Sequence, residues 1–294
     1  MVVRWKTMKS LSWTEDYLSL LKLRIVALLV LVAIAVTIVA GSGNIFFGRI
    51  ILLALVIGLA CAGSSLMNNY FDRDIDAIME RTRNRPLPNG RFAPGKVLIG
   101  GLVLLILSLL IALRLNYLVA LLVLSGALVY VGLYTIWLKR RSSLNIVIGG
   151  LAGSCVALAG WFSITNQPSL TPFLIALVIF LWTPSHFWSF ALVHQESYQK
   201  AGIPMLPIVT GAKGTANYIV LHSGLLLLVS LLLYFSGPLG EIYLLGSLLL
   251  GSLFLVSSIR LRRQPQRERA WANYKLSGIY LLGLFLVMAL DALV

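Results

Sequence analysis

The sequence predicts an all-α polytopic membrane protein, with nine transmembrane helices in a bundle. Three observations lead there. Of its 294 residues 59% are hydrophobic and the mean hydropathy is +0.91, more apolar surface than a soluble core of this length can bury. The apolar residues come in repeated runs of about 20, the length that crosses a bilayer. The connections between the runs alternate in charge, with Lys and Arg crowded into every second one.

The runs lie at about 22–41, 49–68, 97–114, 117–137, 144–163, 171–191, 217–236, 240–259 and 277–294. The first follows a mixed segment, too polar and too long for a signal n-region and with no small-residue cleavage site after it. It therefore reads as a retained span. Arg4, Lys6, Lys9, Lys22 and Arg24 flank its start, and Arg73, Arg81, Arg83, Arg85, Arg91 and Lys96 follow the second span. Lys139, Arg140 and Arg141 follow the fourth, Lys200 and Lys213 the sixth. Arg260, Arg262, Arg263, Arg267, Arg269 and Lys275 follow the eighth. Of 24 Lys and Arg, Arg49 and Arg114 alone fall in the alternate connections. Positive charge stays in the cytoplasm, so these connections and the N-terminus are expected inside and the C-terminus outside.

The net charge of +14 is thus explained by topology and anionic lipid, with no nucleic acid needed. Cys61 and Cys155 sit far apart in apolar runs and support neither a disulfide framework nor a thiolate metal site. The expected organisation is one membrane-embedded domain, 1–294, with 1–21 a cytoplasmic N-terminal segment. Two long connections, 69–96 and 192–216, follow even-numbered spans four apart, a pattern compatible with two tandem four-helix units plus a ninth helix. Long ordered loops tend to carry function.

The densest chemistry lies in residues 68–90, NNYFDRDIDAIMERTRNRPLPNG. Asp72, Asp74, Asp76 and Glu80 are four of the ten acids in the chain. If the second span continues as helix, Asn68, Asp72 and Asp76 fall at i, i+4 and i+8 on one face. Stacked oxygen donors of this kind suit a hard divalent cation such as Mg²⁺. Asp74, at about 100° per residue, falls about 160° round the helix and is expected to pair with an Arg. Arg81, Arg85 and the rigid turn Pro86 to Gly90 offer guanidinium forks to phosphate. A carboxylate at mid-bilayer costs about 2.5–3.5 kcal/mol, a cost avoided where the helix leaves the membrane.

Later stretches are less decisive. Lys139, Arg140 and Arg141 read equally as topology determinants or as anion ligands. Asn145, just inside the fifth span, is an amide that wants a partner. Pro184 breaks the sixth span unless neighbours satisfy the freed backbone. His186 is then either a hydrogen-bonding partner at that break or a ligand-pocket group. Trp182, Phe187 and Trp188 read as interfacial belt or as pocket. His222 carries no usable pattern.

Residues 68–90 resemble the first acidic motif of the UbiA-type intramembrane prenyltransferases. YTIWLKRRSSLNIVIGGLAG, FLWTPSHFWSFAL and YQKAGIPMLPIVTG resemble the haem-farnesylating branch of that superfamily, the haem O synthases, and the similarity runs from about Lys22 to the last helix. The resemblance implies a UbiA-type prenyltransferase fold, farnesyl diphosphate as donor, haem B as acceptor and Mg²⁺ as cofactor. It places Mg²⁺-diphosphate on Asn68, Asp72 and Asp76, the catalytic set. Arg81, Arg85, Lys139 and Arg140 match diphosphate-neutralising positions, and Glu196 is carried over as a further metal ligand. Tyr134, Asn145 and His186 are acceptor-pocket candidates, with Tyr70, Tyr130 and Phe187 as further aromatic lining. One departure stands out: the family usually has an acid directly before the Tyr of the AGIPMLP stretch, where this chain has Ser197, preceded by Glu196.

The implied location is the cell (inner) membrane. The implied partners are the two substrates and lipid, with handover of product to a haem A synthase or a terminal oxidase assembly. Two alternatives stay open: another UbiA-type enzyme with an aromatic or chlorin acceptor, and a non-catalytic haem-binding or transport protein. The intact ladder favours an enzyme, since transporters more typically place charge at the midplane.

Overall fold

The computed structural model describes residues 13–294; Arg4, Lys6 and Lys9 lie outside the described residues. In chain order the helices are α1 (Trp13–Leu21), α2 (Leu23–Ala40), α3 (Phe47–Ile78) and α4 (Pro94–Ala112). Next come α5 (Tyr117–Arg140), α6 (Asn145–Phe162) and α7 (Leu170–Val193). The short α8 (Gln195–Lys200) precedes α9 (Leu206–Tyr234), α10 (Glu241–Arg263) and α11 (Arg267–Leu293). Among the described residues there is no strand, and 9 helices, α1 and α8 excepted, are long and apolar enough to cross a membrane. Consecutive helices pack on one another, α7 also packs against α9 and α11, and α11 closes back on to α2.

The outer surface confirms the solvent. Ile99, Leu102, Ile106 and Leu110 on α4, and Leu245, Leu249 and Leu253 on α10, are exposed at helical spacing. Lipid tails are as apolar as Leu, so these faces are satisfied in a bilayer. Helix association then depends on close packing and buried polar contacts. Gly63 of α3 and Gly101 of α4 show the first: a Cβ on either would stand 2.6 or 2.8 Å from the other's carbonyl oxygen.

Three features position the site. First, α3 has 32 residues, about 48 Å at 1.5 Å per residue, so its last turns project beyond a hydrocarbon core of about 30 Å. Second, α5 is α-helical only to Ala127; Leu128–Trp137 is a π-helix and Leu138–Arg140 a 3₁₀ turn. Third, α9 contains Gly211 at φ 70, ψ 175, so a first turn is set off from the long helix behind it. Such a positive φ costs glycine little.

The spans differ from expectation mainly at the ends that meet the Lys- and Arg-rich connections. α9 and α11 begin well before 217 and 277, because amphipathic helix carries on where hydropathy falls. Pro184 does not break its span: α7 runs unbroken from Leu170 to Val193. The ring of His222, from α9, packs edge-on against Trp188 of α7 at 5.1 Å.

Candidate active site

Asn68, Asp72 and Asp76 line one side of the projecting end of α3 and are only 3, 2 and 3% exposed. Carboxylates this buried are almost always paired. Lys139 Nζ lies 2.5 Å from Asp72 Oδ2, and Arg85 Nη1 lies 2.6 Å from Asp76 Oδ2. Lys22 Nζ donates to Asn68 Oδ1 at 2.5 Å and to the Tyr130 hydroxyl at 3.2 Å. Three elements distant in sequence, the α1–α2 junction, the loop after α3 and the end of α5, therefore deliver one cation each to the ladder.

The local backbone explains the delivery of Lys22 and of Arg85. Lys22 sits at φ 54, ψ 46 between α1 and α2, a left-handed conformation that costs a non-glycine residue about 1–3 kcal/mol. It is held by docking of α1: Asn69 Nδ2 donates to the Leu20 carbonyl at 3.0 Å, and Arg91 pairs with Asp16 at 2.7 Å. Burial, and then the positive charge of Arg85, lower the Lys22 pKa to about 7. Sequence reasoning missed Lys22 as a site residue because it counted as one more charge retained in the cytoplasm. Arg85 is turned inward by a tight loop in which Thr82 Oγ1 donates to the Asp76 carbonyl at 3.0 Å.

Not every expected residue joins this group. Arg140 forms a two-pronged pair with Asp74, at 2.7 Å to each oxygen, and also donates to the Phe71 carbonyl at 2.8 Å. Asp74 thus finds the Arg that its position required. Arg140, the expected diphosphate ligand, thus has its guanidinium occupied on the opposite, exposed face of α3 in this structure. Arg81 has no carboxylate partner among the described residues and lies over the Phe190 ring at 5.2 Å. Tyr70 packs under Arg73 at 4.3 Å rather than beside the ladder.

Glu196 is the further metal ligand that the resemblance implies. It is exposed, and it lines a cavity of about 310 Å³ with Ile78, Glu80, Arg83, Ser197 and Lys200, not with Asp72 or Asp76. The reason is helical geometry: Tyr198, two residues on and about 200° round, is the buried side chain of α8. Arg81, Lys139 and Arg85 all act electrostatically on the Tyr198 hydroxyl, but burial outweighs them and raises its pKa. The inward group of α8 is therefore a neutral hydroxyl.

The acceptor-pocket candidates have separate neighbours. Tyr134 stacks on Tyr130 at 5.9 Å and packs against Gly149 of α6. Asn145 is fully buried, with neither end of its amide partnered. His186 lies between Trp182 and Tyr274, each ring centre 4.4 Å away, and its Nδ1 is 2.7 Å from Ser277 Oγ. Ser277 donates its own proton to the Tyr274 carbonyl, so Nδ1 carries the hydrogen in that contact. Phe187 clusters with Tyr134, Ile75 and Tyr198.

Two carboxylates and one amide oxygen form the donor set, and among the described residues no group of three His, Cys, Asp or Glu comes together. Asp72 Oδ1 is buried with no hydrogen-bond partner. A buried carboxylate oxygen left without a proton donor is costly. The hard-oxygen set and that orphaned atom fit a small divalent cation.

Residues 28–285 match the UbiA prenyltransferase family. The protohaem IX farnesyltransferase of Symbiobacterium thermophilum is 43% identical over 279 residues, 94% of this chain and 94% of its own. That of Desulforudis audaxviator is 42% identical over 94% of this chain and 88% of its own. Two solved structures share the fold. A digeranylgeranylglyceryl phosphate synthase superposes with TM-score 0.80 at 23% identity, over 95% of this chain and 98% of that one. A UbiA homologue from Archaeoglobus fulgidus, bound to GPP and Mg²⁺, gives 0.68 at 19% identity, over 93% and 99%. A bundle of membrane-crossing helices with a buried, cation-ringed oxygen ladder is thus matched by a relationship spanning nearly the whole chain, and this multi-pass membrane protein belongs to the UbiA prenyltransferase family of enzymes.

Proposed function

We propose that the chain transfers the farnesyl group of farnesyl diphosphate to a vinyl group of protohaem IX (haem B), giving, with one water, haem O and diphosphate. The observation that carries this reading is the buried ladder ringed by Lys22, Lys139 and Arg85. The identity to protohaem IX farnesyltransferases narrows donor and acceptor. Asn68, Asp72 and Asp76 would hold Mg²⁺, whose charge when bound stabilises a departing diphosphate.

The chain's own residues do the rest. Lys22, Lys139 and Arg85, with Arg81 at the rim, bind the diphosphate oxygens and offset the charge that develops as the allylic C–O bond breaks. The bond's electron pair leaves with diphosphate. The haem vinyl supplies the electron pair for the new C–C bond, and water adds to the resulting cation and loses a proton, leaving the hydroxyl. A farnesyl cation survives only where water is scarce and π-faces are near. Tyr130 and Tyr134 stand next to the ladder, and a run of ring contacts between α7 and α11 leads from Phe190 through Tyr274 and His186 to Trp182.

The isoprenoid tail contributes about 0.8 kcal/mol per buried CH₂. An apolar groove of about 450 Å³ between α2 and α11, lined by Ala27, Leu31, Ile34, Phe285 and Ala289, is a surface of the right chemistry for such a tail. The charge pattern supports the cell membrane, N-terminus inside, with the ladder on the cytoplasmic side. The amphiphilic product would stay in the bilayer for handover to a haem A synthase or oxidase assembly.

The test is a pigment extraction from a host lacking haem O synthase but expressing this chain. Reversed-phase chromatography with mass detection should show a late-eluting haem heavier than haem B by a farnesyl unit plus water. Haem B alone, from well-inserted protein, would overturn the assignment.

A further inference from the structure

The donors around Asn68 are fully allocated, and the allocation passes through a residue with no assigned role. Asn68 Nδ2 donates to Asp72 Oδ2 at 2.8 Å and to Thr135 Oγ1 at 3.0 Å. Thr135 Oγ1 in turn donates to the Tyr130 carbonyl at 2.7 Å, five residues back in the π-helical stretch of α5. A hydroxyl has one proton. Once that proton is given to Tyr130, Thr135 can only accept from Asn68. An amide has two N–H groups, and Asp72 and Thr135 take both. A flipped amide would set its oxygen against a carboxylate oxygen and a hydroxyl with no proton to give. The Asn68 oxygen is therefore forced towards Lys22, on the ligand side of the ladder. Thr135 is 1% exposed, so water cannot replace it at that position.

We infer that Thr135 is a positioning residue, which fixes the Asn68 amide with its oxygen presented to the cation and diphosphate. This rests on the reading of Asn68, Asp72 and Asp76 as metal ligands. It also gives the π-helix a use, since the wider turn brings residue 135 under carbonyl 130 and against α3.

The experiment measures Mn²⁺ binding to the purified full-length protein, by loss of the free-ion electron paramagnetic resonance signal, with farnesyl thiolodiphosphate present. Thr135→Val should weaken Mn²⁺ binding by about tenfold or more, the usual scale for losing a group that orients a ligand. Thr135→Ser, which keeps the hydroxyl, should restore it. In the Asn68→Asp background, which has no N–H to orient, Thr135→Val should add little. Thr135→Ala stands in if valine prevents folding. Unchanged affinity in Thr135→Val, or equal weakening in Val and Ser, overturns the inference. Mn²⁺ affinity insensitive to Asn68→Ala overturns the ladder reading itself, and with it the role of Thr135.

Discussion

The chain has two long connections on one side of the bundle, and they use charge in opposite ways. The end of α3 and its loop bury Asn68, Asp72 and Asp76 against Lys22, Lys139 and Arg85. The connection from α7 to α9 buries Tyr198, Ile203, Met205 and Leu206 and leaves Glu196 and Lys200 exposed. The first region turns ionised groups inward, and the second turns apolar side chains and a neutral hydroxyl inward. The buried carboxylates Asp72 and Asp76 have cationic partners, whereas Glu196 is left to solvent.

This asymmetry can be broken by mutation. Asp72→Ala should lower kcat/KM by about 10²–10³-fold, the scale of removing one preorganised charge-stabilising group, in protein that still inserts. Its counterpart Glu196→Gln should stay within about fivefold, as expected for an exposed charge. Equal losses, measured by haem O formation in membranes, would end the comparison.

The next contrast is between the inner and outer ion pairs of α3. Lys139→Met leaves Asp72 buried without its cation and should cost about 3–5 kcal/mol of stability as well as turnover. Arg140→Gln removes only an exposed pair, worth about 0–1 kcal/mol. Thermal unfolding in detergent separates the two.

The smallest effect is expected from Ser197→Asp, which adds a carboxylate about 100° from the inward Tyr198. The Mg²⁺ concentration for half-maximal activity should fall by less than about tenfold, or 1.4 kcal/mol. A larger fall would mean that α8 turns residue 197 rather than Tyr198 inward when substrate is bound.

Much of this was legible in the sequence. Apolar runs of bilayer length located all nine spans, because lipid tolerates few other patterns. The i, i+4, i+8 spacing placed Asn68, Asp72 and Asp76 on one face, and the same rotation sent Asp74 outward to Arg140. What was illegible depends on neighbours rather than on period. Lys22 looks like any cytoplasmic lysine until α1 docks and turns it inward. Thr135 looks like span filler until the π-helix, which has no hydropathy signature, sets it beside Asn68. Arg140 and Lys139 are adjacent in sequence, and only the 3₁₀ turn at Leu138–Arg140 decides which of them meets the ladder.

The most direct measurement is anomalous scattering from a complex of the protein with Mn²⁺ and farnesyl thiolodiphosphate. Mn²⁺ should be coordinated by Asn68 Oδ1, Asp72 and Asp76, with Lys22, Lys139 and Arg85 moved on to the diphosphate oxygens and Glu196 still outside. Metal bound through Glu196, or a ladder that keeps its lysine contacts while Mn²⁺ binds elsewhere, would contradict the assignment of Asn68, Asp72 and Asp76 as the metal site.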